Sequence, residues 1–421
     1  MNLGAPTPFP ARHELGLGKL HNRYPSIADL EARARRRLPR FAWDYLSGAA
    51  GDETGLAHNR SAYDAVRFTP QYLCERRAVD TRTTLFGRSF AYPFGIAPVG
   101  QSGLVWPRSA EYLAAAAKRA DIPYCLSMVA TTGIERIGEI AGANAWFQLY
   151  PLRDPGVTRS VLERAKAAGF SALVVTVDTP AGRRTLRDRR NGLTLPPRLS
   201  LANIARMFGH PAWLASSARA GIPRFETLLP YLPKGADATG VIALTQTLIA
   251  RGIDAKGLEA IRALWDKPMI VKGPLGLDDA RTCQEIGIDG LVLSNHGARQ
   301  SESLVNPLHV LERIRDAVGE SLCVGIDSGA RSGLDIARAL ALGAQFVLLG
   351  RAFMFAVAAL GAPGARHATE LLALELEQAM GQIGCFELAH LPARLAPDSA
   401  AVTRLDLQRE SESIEARHRT S

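Results

Sequence analysis

Cysteines are few in this sequence and form no motif. The 421 residues include five cysteines, which lie far apart and without any CxxC pair. This usage is typical of a reducing compartment and predicts neither a disulfide framework nor a cysteine-based metal site. We therefore expect no metal in the functional site.

Long apolar stretches are also missing. No run approaches the ~18 apolar residues of a membrane-spanning helix. The first residues, MNLGAPTPFPARHELGLG, show no basic segment followed by an apolar one, so we expect no secretory leader. The expected location is the cytoplasm, with peripheral contact at the cytoplasmic face of a membrane as the alternative.

Signals for nucleic-acid binding are absent as well. The formal net charge is +9, and basic residues gather at 33–40 and 183–190. A solvated helix face is the ordinary explanation of such clusters, and anion binding is the next. Without zinc-finger spacing, basic–aromatic interleaving or a basic tail, we expect no nucleic-acid partner.

No GxGxxG motif marks a Rossmann-type dinucleotide fold. Instead, eight apolar, β-rich runs alternate with Ala-rich amphipathic helices. Continuous apolar runs predict parallel strands covered by helices, and eight such units predict an α/β fold of the (β/α)8 TIM-barrel type. The runs span residues 94–100, 124–130, 145–150, 172–180, 269–274, 290–297, 322–329 and 346–351.

One long gap interrupts this rhythm, between the fourth and fifth runs. We predict a single domain over 1–421, with an N-terminal helical extension (1–85), a barrel (86–390) and a C-terminal tail (391–421). The gap adds a βα-loop insertion at about 190–250, with more basic than acidic residues. A lid or subunit contact is one interpretation of this insertion, and a peripheral membrane contact is the other.

Polar side chains follow the predicted strands at their C-terminal ends, where barrels of this kind place their chemistry. A single such residue is often a structural cap, but most of the predicted strands carry one here. This concentration predicts an active site. The residues are Ser127, Gln148, Tyr150, Thr176, Asp178, Lys272, Ser294, His296, Arg299, Asp327 and Arg351.

The seventh and eighth strand ends predict an anion site. IDSGARSG surrounds Arg331 with Gly329 and Gly333, and LLGR brings Gly350 and Arg351 to the start of the last helix. Glycine-rich turns before helices direct backbone N–H groups at anions, and arginines add a charge-assisted clamp. We expect a phosphorylated ligand, either a mononucleotide cofactor or a phosphorylated substrate.

Four residues suggest the chemistry. Lys272 ends a buried strand. This position fits either the Schiff-base lysine of an aldolase or a fixed positive charge beside an electron-accepting ring. His296 and Asp178 fit a base and its orienting carboxylate, and Arg299 fits a bidentate carboxylate dock. Together with a phosphate site, they suggest oxidation of a hydroxy acid by a flavin.

Several motifs, in family order from about residue 26 to 391, resemble the FMN-dependent α-hydroxy acid dehydrogenase/oxidase family. They are PFGIAPVGQSGL, WFQLY, TVDTP, VKGPLGLDDA, SNHGARQ, IDSGARSGLDIARALALGA and LLGRAF. The family includes L-lactate dehydrogenase, (S)-mandelate dehydrogenase and glycolate oxidase. The resemblance implies FMN as cofactor and oxidation of a small 2-hydroxy acid to the 2-oxo acid.

The resemblance also implies roles for individual residues. His296 is implied to be the base, with Asp178 supporting its charged form, and Lys272 to stabilise the reduced flavin. The substrate carboxylate and hydroxyl are implied to be held by Arg299, Tyr45 and Tyr150. The residues implied to bind FMN are Ala97, Pro98, Val99, Ser127, Gln148, Thr176, Lys272, Ser294, Asp327, Gly329, Arg331, Gly350 and Arg351.

This sequence departs from the family pattern at two places. The family usually has a second carboxylate-binding arginine seven residues after the aspartate of TVD, a position that is Thr185 here, although Asp188 keeps its usual spacing. We predict that Arg184 takes over by a one-residue shift. The common RQLD reads RQSE, with Ser301 and Glu302, which predicts an altered surrounding of the site or a different substrate.

The electron acceptor is less sharply indicated. Gly100 in APVG resembles the mandelate and bacterial lactate dehydrogenases, which favours quinone or another carrier, with the basic insertion as the membrane-contacting part. An oxidase using O2 is one alternative, and a flavin-binding barrel with altered or lost turnover is another. The resemblance further implies a homo-oligomer, a tetramer.

Overall fold

Strands and helices alternate along the chain in the predicted order. A computed structural model describes residues 18–182, 184–192, 207–232, 247–397 and 399. The strands are β1 Thr83–Leu85, β2 Arg88–Phe90, β3 Phe94–Ile96, β4 Tyr124–Ser127, β5 Ala145–Leu149, β6 Ala172–Thr176, β7 Met269–Lys272, β8 Gly290–Leu293, β9 Cys323–Ile326 and β10 Phe346–Leu349.

Sixteen α-helices occur within the described residues. They are α1 Gly18–Arg23, α2 Ile27–Arg37, α3 Arg40–Ser47, α4 Thr54–Ala65, α5 Ser102–Val105, α6 Ser109–Ala120, α7 Ile134–Ala141, α8 Pro155–Ala167, α9 Leu186–Arg190, α10 Pro211–Ala220, α11 Ala255–Leu264, α12 Leu277–Glu285, α13 Pro307–Val318, α14 Gly333–Ala341, α15 Arg351–Leu360 and α16 Ala362–Gln382. In this part of the chain we find no helix that combines the length and apolarity of a membrane span.

β3 to β10 form a closed barrel of parallel strands in chain order. The barrel closes where β10 pairs with β3, with Val347 opposite Phe94 and Leu349 opposite Ile96. Nearly every strand residue is buried, because helices cover the outer face and side chains fill the interior. The predicted (β/α)8 TIM barrel is confirmed.

Aromatic side chains close the N-terminal end of the barrel. The β1–β2 hairpin folds under this end and inserts Phe86, whose ring lies 5.7 Å from that of Trp146 and 6.3 Å from that of Phe346. Trp146 and Phe346 meet edge to face at 5.6 Å, a favourable geometry for aromatic pairs. With this end filled, the polar residues are left to the C-terminal ends of the strands.

The N-terminal helices pack beside the barrel and reach its C-terminal end. Ser26 opens α2 with a capping box to Asp29, which satisfies two free helix N–H groups. The chain then turns extended at Leu38 and Pro39 before α3 begins. This break lets α3 lie across the strand ends and present Tyr45.

The β6–β7 connection, residues 177–268, corresponds to the predicted insertion, and part of that insertion lies outside the described residues. Its helix α9 is tied to α3 and to the following loop. Asn191 Nδ2 donates to Asp44 Oδ2 at 2.5 Å, and the Arg187 guanidinium donates to Glu53. In α10, Trp213 Nε1 donates to the Val105 carbonyl oxygen at 3.1 Å.

Candidate active site

A cavity of about 1910 Å³ opens at the C-terminal ends of the strands. It brings together most of the residues that the sequence predicts for the site. The predicted residues that line it are Tyr45, Ala97, Pro98, Val99, Tyr150, Thr176, Lys272, His296, Arg299, Asp327, Gly329, Arg331, Gly350 and Arg351. Ser127, Gln148 and Ser294 are buried behind this lining, and Asp178, also outside the lining, is half-buried.

His296 and Asp178 form a hydrogen-bonded pair. Nδ1 of His296 lies 2.9 Å from Oδ1 of Asp178, with the two side chains 18% and 7% exposed. Burial alone would raise the pKa of Asp178, but His296 and Lys272 outweigh this effect and lower it. An ionised Asp178 accepts a hydrogen bond from Nδ1–H of His296, which leaves Nε2 as the basic nitrogen of the ring.

The backbone around His296 is held in an unfavourable conformation. His296, Gly297 and Ala298 all have positive φ, at 56°, 63° and 61°. Such strain persists only where neighbours fix it. Asn295 Oδ1 accepts from the Ala298 amide at 3.1 Å, and Ser328 Oγ accepts from the Gly297 amide at 2.9 Å.

Asn59, Asn295 and Asn306 extend this support, although sequence reasoning did not find them. Asn59 and Asn295 exchange two amide hydrogen bonds, at 3.0 and 2.7 Å, and Asn306 Nδ2 donates to Asn59 Oδ1. All three are buried. Asn295 belongs to the SNHGARQ motif and could have been noticed there, whereas Asn59 lies on α4 without any local signal.

Lys272 shares its charge with two carboxylates. Its Nζ lies 3.1 Å from Asp327 Oδ2 and 3.8 Å from Asp178 Oδ2, and it donates to Ser294 Oγ at 2.8 Å. Burial opposes the charge, but Asp327 and Asp178 prevail and raise the pKa of Lys272. A Schiff-base lysine must instead be neutral to attack a carbonyl, so this environment disfavours the aldolase alternative.

Arg299 spans the end of α3. Its Nη2 donates to the Tyr45 carbonyl oxygen at 2.7 Å, while Nη1 lies 3.3 Å from the carbonyl oxygen of Gly48. The guanidinium also stacks 4.9 Å above the Tyr45 ring, and the Tyr45 hydroxyl donates to Gly100 O at 3.0 Å. These contacts fix Arg299, the residue predicted to bind the substrate carboxylate, against Tyr45, which is also predicted to bind the substrate.

Arg331 and Arg351 form the basic end of the cavity. Within the described residues neither is in an ion pair, and Arg351 donates to the carbonyl oxygens of Leu46, Gly48 and Gly297. Burial, with further repulsion from Arg299 and Arg331, lowers the pKa of Arg351; burial likewise lowers that of Arg331. Burial makes the positive charge of both arginines unfavourable, and a bound anion would stabilise it. The two side chains therefore form a site for an anion.

One expectation about this anion site needs correction. The glycine-rich turn before α14 was predicted to direct its amides at a phosphate. Instead, Asp335 Oδ2 accepts from the amides of Arg331 and Ser332 at 2.8 and 3.2 Å, and Glu375 Oε2 accepts from that of Gly333 at 2.7 Å. The capping carboxylates satisfy these donors, so the anion site here consists of the arginine side chains and the remaining turn.

The structure does not bring Arg184 to Arg299. Its side chain is exposed and is not part of the cavity lining. Its carbonyl oxygen accepts from the Gly51 amide at 3.0 Å. Thr185, the next residue, lines the cavity and is 9% exposed. The role of Arg184 in carboxylate binding therefore stays a prediction, without support from its position.

Glu302, the second departure from the family pattern, supports the loop between α3 and α4. Its Oε2 accepts from the Asp52 amide at 2.7 Å. A Cβ on Gly51 would come within 2.5 Å of the Glu302 carboxylate, so the loop passes closely over this side chain. Glu302 thus acts on the site indirectly, through the loop that provides the Gly48 carbonyl oxygen to Arg299.

Two polar atoms below the cavity fit a bound flavin. Gln148 Nε2 and Thr176 Oγ1 are buried without a hydrogen-bond partner, and such groups normally have one. Gln148 is held in place by Ser127, whose Oγ donates to Gln148 Oε1 at 2.8 Å. A cofactor ring with polar edges lying over these strand ends would satisfy both atoms, while its phosphate would meet Arg331 and Arg351.

The barrel, the polar residues at its strand ends and the two arginines suit an enzyme that holds a mononucleotide cofactor in this cavity. The chain belongs to the FMN-dependent dehydrogenase family, which matches residues 34–397. This match confirms three predictions from the sequence, namely the family, the FMN cofactor and the oxidoreductase class.

Individual relatives and solved structures agree with this assignment. The chain is 40% identical to an L-lactate dehydrogenase of Caulobacter sp. (strain K31) over 362 residues, which cover 85% of this chain and 94% of that protein. It is 37% identical to an L-lactate dehydrogenase of Acinetobacter baumannii over 366 residues, 87% and 95% of the two chains.

Among solved structures, the monotopic membrane protein (S)-mandelate dehydrogenase superimposes with a TM-score of 0.84 at 32% identity, covering 88% of this chain and 98% of that one. Mandelate oxidase superimposes with a TM-score of 0.74 at 36% identity, covering 89% and 98%. The relatives thus include both dehydrogenases and an oxidase.

Proposed function

We propose that this protein oxidises an (S)-2-hydroxy acid to the 2-oxo acid. The observation on which the proposal rests is the His296–Asp178 pair, at 2.9 Å, in the same cavity as Arg299. A base and a carboxylate dock on one wall suit a substrate that carries a proton to be removed next to a carboxylate. Similarity to proteins named lactate and mandelate dehydrogenases supports this substrate class.

In the proposed mechanism, His296 takes a proton from the substrate through Nε2. Asp178 stabilises the resulting imidazolium across the 2.9 Å bond to Nδ1. Bound FMN supplies the acceptor for the substrate's electron pair. Lys272, kept charged by Asp327 and Asp178, offsets the negative charge that this electron pair brings to the cavity floor.

Arg299 and two tyrosines orient the substrate in this proposal. Arg299 binds the carboxylate by turning donors from the Tyr45 and Gly48 carbonyl oxygens towards it. Tyr45 and Tyr150, which both line the cavity, hydrogen-bond the carboxylate and the α-hydroxyl. Positioning of this kind aligns the reacting C–H bond with the cofactor.

The family resemblance implies the cofactor contacts, and the cavity lining agrees with most of them. We infer that Asp327 binds the ribityl hydroxyls and that Arg331 and Arg351, with Gly329 and Gly350, hold the phosphate. The flavin ring would be held by the remaining predicted residues, which are Ala97, Pro98, Val99, Ser127, Gln148, Thr176 and Ser294.

For the electron acceptor, we propose quinone reached through peripheral contact at the cytoplasmic face of a membrane. Phe208 and Ile222 flank α10 and are 71% and 68% exposed, as expected of apolar side chains that enter a lipid surface. Similarity to a monotopic membrane protein supports this location. We further propose a homo-oligomer, a tetramer.

Anaerobic mixing with lactate, glycolate, mandelate and longer 2-hydroxy acids tests the function. The expected result is a yellow protein whose flavin absorbance bleaches with at least one (S)-acid. A colourless protein that takes up no FMN on refolding would refute the proposal. Bound FMN that none of the acids reduces would favour a barrel without turnover, and rapid reoxidation by O2, faster than by a soluble quinone, would favour the oxidase.

A further inference from the structure

A buried carboxylate lies in the cavity wall that α9 forms. Thr185, Asp188 and Arg189 line the cavity, as expected of helical positions separated by three and four residues. Asp188 is 5% exposed, and its Oδ1 is buried without a hydrogen-bond partner. This atom resembles Gln148 Nε2 and Thr176 Oγ1 below the cavity, but it belongs to a different part of the chain and to the substrate side.

No basic residue of the described chain forms an ion pair with Asp188. Arg187 is bound to Glu53 and to Ser47 Oγ, and lies 3.8 Å from Asp44. Arg184 is exposed. A carboxylate buried without a partner is costly, so a group that enters the cavity is the natural partner for Asp188.

The wall lies on the same side as the carboxylate dock. The backbone of Thr185 pairs with Gly51 as a β-bridge, and Gly51 belongs to the loop whose Gly48 carbonyl oxygen accepts from Arg299. A second anionic group of a substrate would be repelled at Asp188, whereas a donor would be attracted. Arg189 of the same wall is exposed, so a hydrogen-bond donor is the substrate group that suits the buried Asp188.

We propose that Thr185 and Asp188 form an accepting subsite for a hydrogen-bond donor on the side chain of the substrate. The protein then prefers 2-hydroxy acids with a side-chain hydroxyl or amino group to alkyl acids of the same size. This inference rests on the proposed function, since it presupposes that a hydroxy acid is held by Arg299.

Matched pairs of acids test the subsite on the FMN-loaded wild-type enzyme. The pairs are L-glycerate with (S)-2-hydroxybutanoate, and (S)-4-hydroxymandelate with (S)-4-methylmandelate, in which a hydroxyl replaces a methyl group. The rate of anaerobic flavin bleaching is measured against acid concentration. We expect the hydroxyl-bearing acid to be favoured at least about 10-fold in one pair, because the alkyl acid leaves the buried carboxylate unpaired.

Two variants assign the preference to the wall. Asp188→Asn keeps the side-chain volume but removes the charged acceptor, and we expect the preference to fall to less than about 3-fold. Thr185→Arg supplies an internal cation for Asp188 and should abolish the preference. Asp254→Ala is the matched control, since Asp254 caps α11 in the same connection outside the cavity lining, and it should keep the wild-type ratio.

The outcomes separate this proposal from the proposed function. If no acid bleaches the flavin, the hydroxy-acid function itself fails. If both members of each pair bleach the flavin with equal efficiency, only the donor subsite is overturned. It is also overturned if Asp188→Asn retains FMN and keeps the wild-type ratio.

Discussion

The strand ends and the α9 wall face the same cavity but differ in how their charges are balanced. At the strand ends, Lys272 is shared by Asp327 and Asp178, and Asp178 also supports His296. In the wall, Asp188 has a buried oxygen without any partner. The strand ends thus balance their charges within the chain, whereas our proposal assigns the partner of Asp188 to the substrate.

The two regions are also built differently. The strand ends are fixed by the register of neighbouring parallel strands, as where Thr176 pairs with Lys272. The wall follows a long connection and is fixed by a few side-chain ties, among them Asn191 to Asp44. Substitution in the wall can therefore change substrate choice without disturbing the barrel.

The largest expected effect comes from removing the base. His296→Ala should slow anaerobic flavin reduction by about 10²- to 10⁴-fold, the usual contribution of general base catalysis, while FMN stays bound. Stopped-flow bleaching measures this rate. His58→Ala, a change at an exposed position on α4, should have no effect, and full activity of His296→Ala would show that another group takes the proton.

The next effect concerns the buried charges of the strand ends. Lys272→Met leaves Asp178 and Asp327 without their shared cation, and breaking a buried pair typically costs about 3–5 kcal/mol. We expect weaker FMN retention and a lower free energy of unfolding, measured by flavin content and urea denaturation. Lys256→Met, exposed on α11, is the control, and equal stability of both variants would contradict the charge-sharing arrangement.

A smaller effect contrasts the two predicted carboxylate-binding arginines. Arg299→Lys should raise KM and lower kcat, together by about 10- to 100-fold, since lysine lacks the planar fork of arginine. Arg184→Ala should change KM by less than about 3-fold, because Arg184 is exposed outside the cavity lining. If the two variants were equally impaired, α9 would have to rearrange when substrate binds.

The residues at the strand ends could be predicted from the sequence, whereas several residues outside the strands could not. Strand ends are recognisable because a buried apolar run followed by His296 or Lys272 has few structural explanations, and the barrel topology then brings these residues together. The contact of Asn59 with Asn295 was not predictable, because 236 positions separate the two residues and the sequence around Asn59 carries no motif. The position of Arg184 depends on how the loop before α9 docks on Gly51, which residue spacing alone does not determine.

The expectation for the turn before α14 failed for a related reason. Its glycines were taken as a sign of amides directed at an anion, but Gly333 serves a close backbone approach, since a Cβ there would lie 2.1 Å from the Leu376 amide nitrogen. The approaching element, however, is α16 of the same chain, which brings the Glu375 carboxylate to the amides. Glycine spacing indicates proximity but does not distinguish a ligand from a neighbouring helix.

The smallest effect concerns Glu375, a half-buried carboxylate that, unlike Asp188 in the wall, has a hydrogen-bond partner. Burial raises the pKa of Glu375 from its usual 4.5 to about 7, although its Oε2 has the Gly333 amide as a partner. The folded protein therefore binds this proton more tightly than the unfolded chain does, so stability should fall as pH rises from about 4.5 to about 7. Glu375→Gln keeps an acceptor for the amide and removes the titration, so the thermal midpoint of the variant should fall less over this interval. Equal slopes for the variant and the wild type would show that the pKa of Glu375 is not raised in the folded protein. The Gly333 amide would then be enough to stabilise the Glu375 carboxylate, whereas Asp188 Oδ1 has no such partner.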